Sequence, residues 1–263
     1  MRDCIIISLG EITSQNQLRA FEALSAEISP DKCIVPLLAI ILVANSQQLN
    51  DFKTGKLTEN DFVDHMIAEI ASQTGKTLIP DQFIKAWNSM NPTFDTFKTQ
   101  LEQLAAAKQD DHEIILISNT NPIDIRHLIS ELDKHQYPYT LNETGTLTHI
   151  NNMPIYLSYQ EGVDKTQLLE RIIPTLRRKA DESFGGRHSF MGNISPNANT
   201  AICYVRSENK IEQPHLRAYY DQELKSIEEL AIKMGVEIIK WDKSTHSLLD
   251  IINKEAVDFD LSL

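Results

Sequence analysis

Apolar residues along this chain fall into two kinds of pattern. Short unbroken or nearly unbroken runs occur at Cys4-Ile5-Ile6-Ile7, Glu113-Ile114-Ile115-Leu116-Ile117, Pro154-Ile155-Tyr156-Leu157-Ser158, Leu216-Arg217-Ala218-Tyr219-Tyr220 and Val236-Glu237-Ile238-Ile239-Lys240. Runs of this length and β-branched content predict strands buried on both faces, as in a parallel sheet. Elsewhere apolar residues recur at intervals of three and four. Ile125, Leu128, Ile129 and Leu132 do so between Pro122 and His135, and Leu224, Ile227, Leu230, Ala231 and Met234 do so between Asp221 and Met234. Strands alternating with amphipathic helices predict an α/β fold with a mainly parallel sheet.

Between the first two strands the pattern is helical throughout. Thr58 is placed to cap a helix whose first turn carries Glu59 and Asp61, and Phe62, Val63, Met66, Ile67 and Ile70 follow at helical spacing. A second helix is expected from near Pro80, with Phe83, Ile84, Trp87 and Met90. A third is expected from about Thr93, with Phe94, Phe97, Leu101 and Leu104 on one face. These aromatics read as core. The run from Ile34 to Ala44 has eleven residues with Pro36 inside it, too short for a bilayer, and reads as a buried helix. An all-helical insertion after the first strand has the placement of a lid over the strand ends. Asn142-Glu143-Thr144-Gly145 signals a hairpin. Residues 181–214 are the least regular, with turn-rich segments flanking a short strand at Ala201–Val205, and Arg177-Arg178-Lys179 suits the end of a helix.

Composition narrows the partners. Hydrophobic residues make up 41% and charged residues 24%, the proportions of an ordinary globular protein. Lys and Arg total 25 against 37 acids, a net charge of −12, which argues against nucleic acid and anionic membranes as partners. Cys4, Cys33 and Cys203 are scattered and form no CxxC, so neither a disulfide framework nor a zinc site is indicated. With no leader pattern at the N-terminus, a reducing cytoplasmic location is expected.

In an open parallel sheet, ligands bind beyond the carboxyl ends of the strands. That directs attention to Ser8–Gly10, Ser118–Asn121, Ser158–Lys165 and Asp221–Glu223. Hydroxyls, backbone amides and an ammonium group suit a phosphate, and a nearby carboxylate suits Mg²⁺.

These segments resemble motifs of the haloacid dehalogenase (HAD) superfamily, in particular its glucose-1-phosphate-phosphatase-like branch. That branch opens with a hydrophobic strand followed by Phe-Asp-Leu-Gly-Gly-Val, and this chain reads Ile7-Ser8-Leu9-Gly10-Glu11-Ile12. Thr54–Phe62 and Phe83–Asn88 are similar to its helical cap. Ile114–Asn121 is similar to the segment whose serine binds the transferred phosphoryl group. Tyr156–Lys165 resembles the segment carrying the phosphate-binding lysine, with Thr166 where a proline is usual. Tyr219-Tyr220-Asp221-Gln222 resembles the metal-binding acidic pair with its second acid replaced.

The resemblance implies a Rossmann-like HAD core at 1–13 and 96–263, an α-helical cap at 14–95 inserted after strand 1, and an irregular insertion at 181–214. It implies phosphate binding by Ser118, Asn119 and Lys165. A weak Mg²⁺ site would use Asp221, the Gly10 backbone and Glu223, and Ser8 stands where the catalytic aspartate belongs. A serine is neither an anionic nucleophile nor a hard oxygen ligand. The expected function is therefore a catalytically lapsed, pseudophosphatase-like protein that binds a small phosphorylated ligand or a protein partner. The alternative is a working phosphatase with altered residues. Each residue also has a plain structural reading: Ser8 as an inert strand end, Ser118 or Asp221 as a helix cap, Lys165 as a solvated lysine.

Overall fold

The computed structural model describes residues 4–13, 16–109, 112–185, 202–207, 214–241, 247–249 and 252. The chain opens with β1 (Cys4–Ser8) and then a helical stretch: α1 (Leu9–Thr13), α2 (Gln17–Ile28), α3 (Val35–Ala44), α4 (Ser46–Lys53), α5 (Glu59–Thr74), α6 (Pro80–Asn88) and α7 (Phe94–Gln109). Next come β2 (Glu113–Ser118), α8 (Pro122–Lys134), β3 (Tyr139–Leu141), β4 (Leu147–Ile150), β5 (Met153–Leu157) and α9 (Ser158–Glu161). The last described elements are α10 (Lys165–Gly185), β6 (Ile202–Ser207), α11 (Pro214–Met234) and β7 (Glu237–Trp241). The seven strands form a sheet in the order β3-β4-β5-β2-β1-β6-β7. Strands β1, β6 and β7 pair in parallel, whereas β3, β4 and β5 form an antiparallel meander.

The chain divides into two compact units. One comprises Met1–Ser8, Gln100–Leu116 and Lys165–Leu263, and the other Leu9–Thr99 and Ile117–Asp164. In the first, every residue of β1 is buried, as a strand in the middle of a parallel sheet requires. In the second, helices α2 to α6 close a core in which Phe52 stacks on Phe62 at 4.3 Å, and Trp87 meets Phe62 edge-on at 5.4 Å. Thr58 caps α5 as expected: its Oγ1 accepts from the Asp61 amide at 3.2 Å. The apolar 35–44 segment is helical, with Pro36 in its first turn, where the missing N–H costs nothing.

Three expectations need correction. The run at 216–220 is helix: α11 begins at Pro214, seven residues before Asp221. Leu, Arg and Ala are strong helix formers, and a proline suits the first turn, so the five-residue apolar run was a poor strand signal. The strand beside β1 is Ile202–Ser207, where a short strand was expected at Ala201–Val205. The irregular 181–214 region shrinks accordingly, since α10 continues through Gly185 and β6 occupies 202–207. Residues 186–201 and 208–213, with Arg187 and His188 among them, lie outside the described residues. Arg177-Arg178-Lys179 therefore lies inside α10 and does not end it. The Arg177 guanidinium nonetheless serves a helix end, donating to the carbonyls of Met234 and Gly235, just beyond the last turn of α11.

Two features of the second unit generate tests. Gly55 has φ +70°, and a Cβ there would lie 2.3 Å from the Tyr159 carbonyl oxygen. Gly75, with the same φ, has nothing within 4 Å of that point. Gly75→Ala should therefore cost only the left-handed strain, about 1–2 kcal/mol. Gly55→Ala should cost that plus a backbone overlap no rotamer relieves, a further ~1–3 kcal/mol in urea unfolding.

The second feature is Glu131, which is buried. It accepts from the Phe94 amide at 3.1 Å and is paired with Lys134. Burial is the largest single influence and pushes its carboxyl up. The hydrogen bonds from Lys134 and Phe94, with the charges of Lys134 and His127, outweigh it together and hold the group below the ordinary glutamate value of 4.5. A depressed carboxylate stabilises the fold above its unfolded pKa, and that stability is lost as pH falls through the folded value. Thermal melts between neutral pH and pH 3 should show a shallower acid loss for Glu131→Gln than for the wild type.

Candidate functional site

Each unit carries part of the chemistry read from the sequence. In the first unit, Ser8 is the last residue of β1 and 4% exposed. Its neighbour β6 runs parallel with Ile7 opposite Val205, so the two strands end on the same side. The residues that follow β6 in sequence are Glu208 and Asn209, which lie outside the described residues. In sequence, Glu208 is the acid that follows the strand paired with β1, whereas Asp221 follows no strand.

Lys165 is the first residue of α10. Its ammonium lies 2.8 Å from Glu223 Oε1, with the two side chains only 13% and 18% exposed, so it is no solvated lysine. Farther along the same helices, Lys233 meets Glu170 at 3.1 Å and Arg177 meets the end of α11. Residue numbers rise together in all three contacts, so α10 and α11 run in the same direction, as crossover helices packed on one face of a parallel sheet do.

Asp221 lies within α11 and is exposed, so it neither ends a strand nor caps a helix. It precedes Glu223 by two residues, about 200° around an α-helix, and the two carboxylates face different directions. They do not converge on one cation. Among the described residues no group of three His, Cys, Asp or Glu side chains is arranged to hold a metal ion.

In the second unit, Ser118 ends β2 and is 6% exposed. It does not cap α8, because Asn121 does: Asn121 Oδ1 accepts from the Asp124 amide at 3.1 Å. Asn119 follows Ser118, and among the described residues its buried Oδ1 accepts no hydrogen bond. Turned over about its last torsion, that carboxamide would offer its N–H group at the same point. Gly10 is exposed within the short helix α1, where Thr13 Oγ1 donates to the Leu9 carbonyl at 3.1 Å.

The loop after β2 is held from two sides. On one, Ser158, fully buried, accepts from the Thr120 amide at 3.0 Å and donates to the Lys53 carbonyl at 2.7 Å. On the other, the buried Asp124 carboxylate accepts from Asn121 Nδ2 at 2.8 Å, Trp87 Nε1 at 3.0 Å and Asn91 Nδ2 at 3.3 Å. Neither Ser158 nor Asp124 was picked out in the sequence for this role. Trp87 was read only as core, which it also is.

No family model matches the chain, and no curated protein does. Solved structures do. A HAD family enzyme from Bacteroides thetaiotaomicron is similar over 94% of this chain and 96% of its own, with a TM-score of 0.50 at 16% identity. The magnesium complex of the same enzyme gives 0.50 at 17% identity, covering 92% of this chain and 93% of that one. A protein from Porphyromonas gingivalis, described as a predicted HAD-like family hydrolase, gives 0.49 at 16% identity over 100% of this chain and 99% of its own. At such identities the likeness is one of fold.

The Asp124 cluster supplies a test within this unit. Trp87→Phe keeps an aromatic ring in the core but removes one donor from a buried carboxylate, which should cost about 1–3 kcal/mol. Trp87→Phe combined with Asp124→Asn should lose less than the sum of the two single variants, measured as a double-mutant cycle in urea.

Proposed function

From a chain that has the haloacid dehalogenase fold, we propose a protein that binds a phosphorylated ligand at its strand ends and does not turn phosphate esters over by the aspartyl route. The observation that carries this reading is Ser8, the buried last residue of β1, where the resemblance expects the attacking carboxylate. A neutral hydroxyl becomes a nucleophile only with a base beside it. Ser118, Asn119 and Lys165 would hold the phosphoryl oxygens, through a hydroxyl, an amide and an ammonium. The helical segment 14–95 would serve as the cap. Cys33 is exposed and carries no disulfide, which fits the cytoplasmic location this reading assigns.

Magnesium enters only through the relative crystallised with it. The donors described here do not fit it. Ser8 is not a carboxylate, Glu223 is engaged by Lys165, and Asp221 faces another direction. A phosphate would be held by the side chains themselves.

The test is release of phosphate from a generic phosphate ester in the presence of Mg²⁺. Wild type is expected to show little or none, since loss of a covalent nucleophile typically costs on the order of 10⁴–10⁶ in rate. Ser8→Asp would supply an anionic nucleophile and a hard ligand together, and partial turnover in that variant would show that the rest of the pocket is still competent. Robust wild-type turnover that disappears in Ser8→Ala would establish the alternative, a working phosphatase with altered residues.

A further inference from the structure

Of the three polar contacts described above between α10 and α11, one is unlike the others. Lys233 and Glu170 are 72% and 46% exposed and Arg177 grips backbone carbonyls, whereas Lys165 and Glu223 are largely withdrawn from water. The first two contacts already fix the helices side by side at their far ends. A buried ion pair adds little to that, because desolvating two charges offsets most of their attraction. The pair has another consequence. It leaves the ammonium that would receive a phosphate already matched by a carboxylate at 2.8 Å. An incoming phosphate meets that carboxylate at close range, in a setting where like charges repel more strongly than they do in water.

We propose that Glu223 is a built-in competitor for Lys165, and that a phosphate ligand binds by displacing the Glu223 carboxylate from the ammonium. The inference rests on the reading of Lys165 as an anion-binding residue. It adds that the chain's affinity is set by its own acid, so that ligands rich in negative charge are favoured over weakly charged ones. Glu223→Gln keeps the size of the side chain and an acceptor oxygen while removing the charge. Glu223→Asp keeps the charge but draws it back by one methylene.

Calorimetric titration of the full chain with inorganic phosphate tests this. Glu223→Gln should bind phosphate about tenfold more tightly than wild type, a coupling of ordinary size for two linked sites. Glu223→Asp should fall between them, and it carries the test if the glutamine variant does not fold. Lys165→Met, alone or with Glu223→Gln, should abolish the binding. Equal or weaker binding by the Glu223 variants, with the Lys165 dependence intact, would overturn the competitor role and leave the anion site standing. Phosphate binding that ignores Lys165→Met, or no binding by any variant, would overturn both.

Discussion

One buried carboxylate organises much of the second unit. Asp124 stands in the first turn of α8, 7% exposed, where an ionised group without partners would cost several kcal/mol. It is tolerated because Asn121, Trp87 and Asn91 all donate to it. Those donors come from the loop after β2, from α6 and from the segment beyond α6, so satisfying one charge brings three pieces of chain to one point. The rest of α8 repeats the principle. Arg126 holds Glu59 at the start of α5 with two hydrogen bonds, at 2.6 and 2.9 Å, and Glu131 accepts the amide that opens α7. Polar groups on one helix thereby set where three others begin or end, while the aromatic cluster supplies the apolar burial.

Much of this was legible in the sequence, and what was not has a physical reason. The strands at 4–8 and 113–118 are apolar and buried on nearly every position, and a helix cannot hide such a block as simply; those at 153–157 and 237–241 are only partly so. The helices from Thr58, Pro80 and Pro122 announce themselves by caps and first-turn prolines. The run at 216–220, read as a strand like 201–205 but helical, shows the limit of that reading. Both runs are short, apolar and β-compatible, and a window of five residues does not contain the pairing with β1 that decides between them. The Trp87–Asp124 bond was illegible for a related reason: its ends are 37 residues apart, and a tryptophan at helical spacing looks the same whether or not its indole N–H has a partner. Of the site residues, Ser118 ends β2 and Lys165 opens α10, whereas Asp221 lost the strand end that had recommended it.

The acids of this chain bear on its chemistry as well as on its net charge. Several are committed to partners: Glu223 to Lys165, Glu131 to Lys134, Glu59 to Arg126 and Asp124 to Asn121, Trp87 and Asn91. At the end of β1 stands a serine, and Lys165 already has a counter-charge.

The parallel pairing of β1 has a consequence for how the chain is made. Cys4 lies opposite Ile202, so the strand synthesised first finds this partner only after 198 further residues have been added. At typical elongation rates of ~5–20 residues per second that interval is about 10–40 s. Throughout it, Cys4-Ile5-Ile6-Ile7 is an apolar, β-prone segment of the kind that pairs indiscriminately when exposed. The helices between β1 and β2 pack largely on one another, but one flank of β1 stays open until β6 is available. Newborn molecules of this protein should therefore depend heavily on chaperones that shield extended segments, and overexpression that outruns them should yield inclusion bodies.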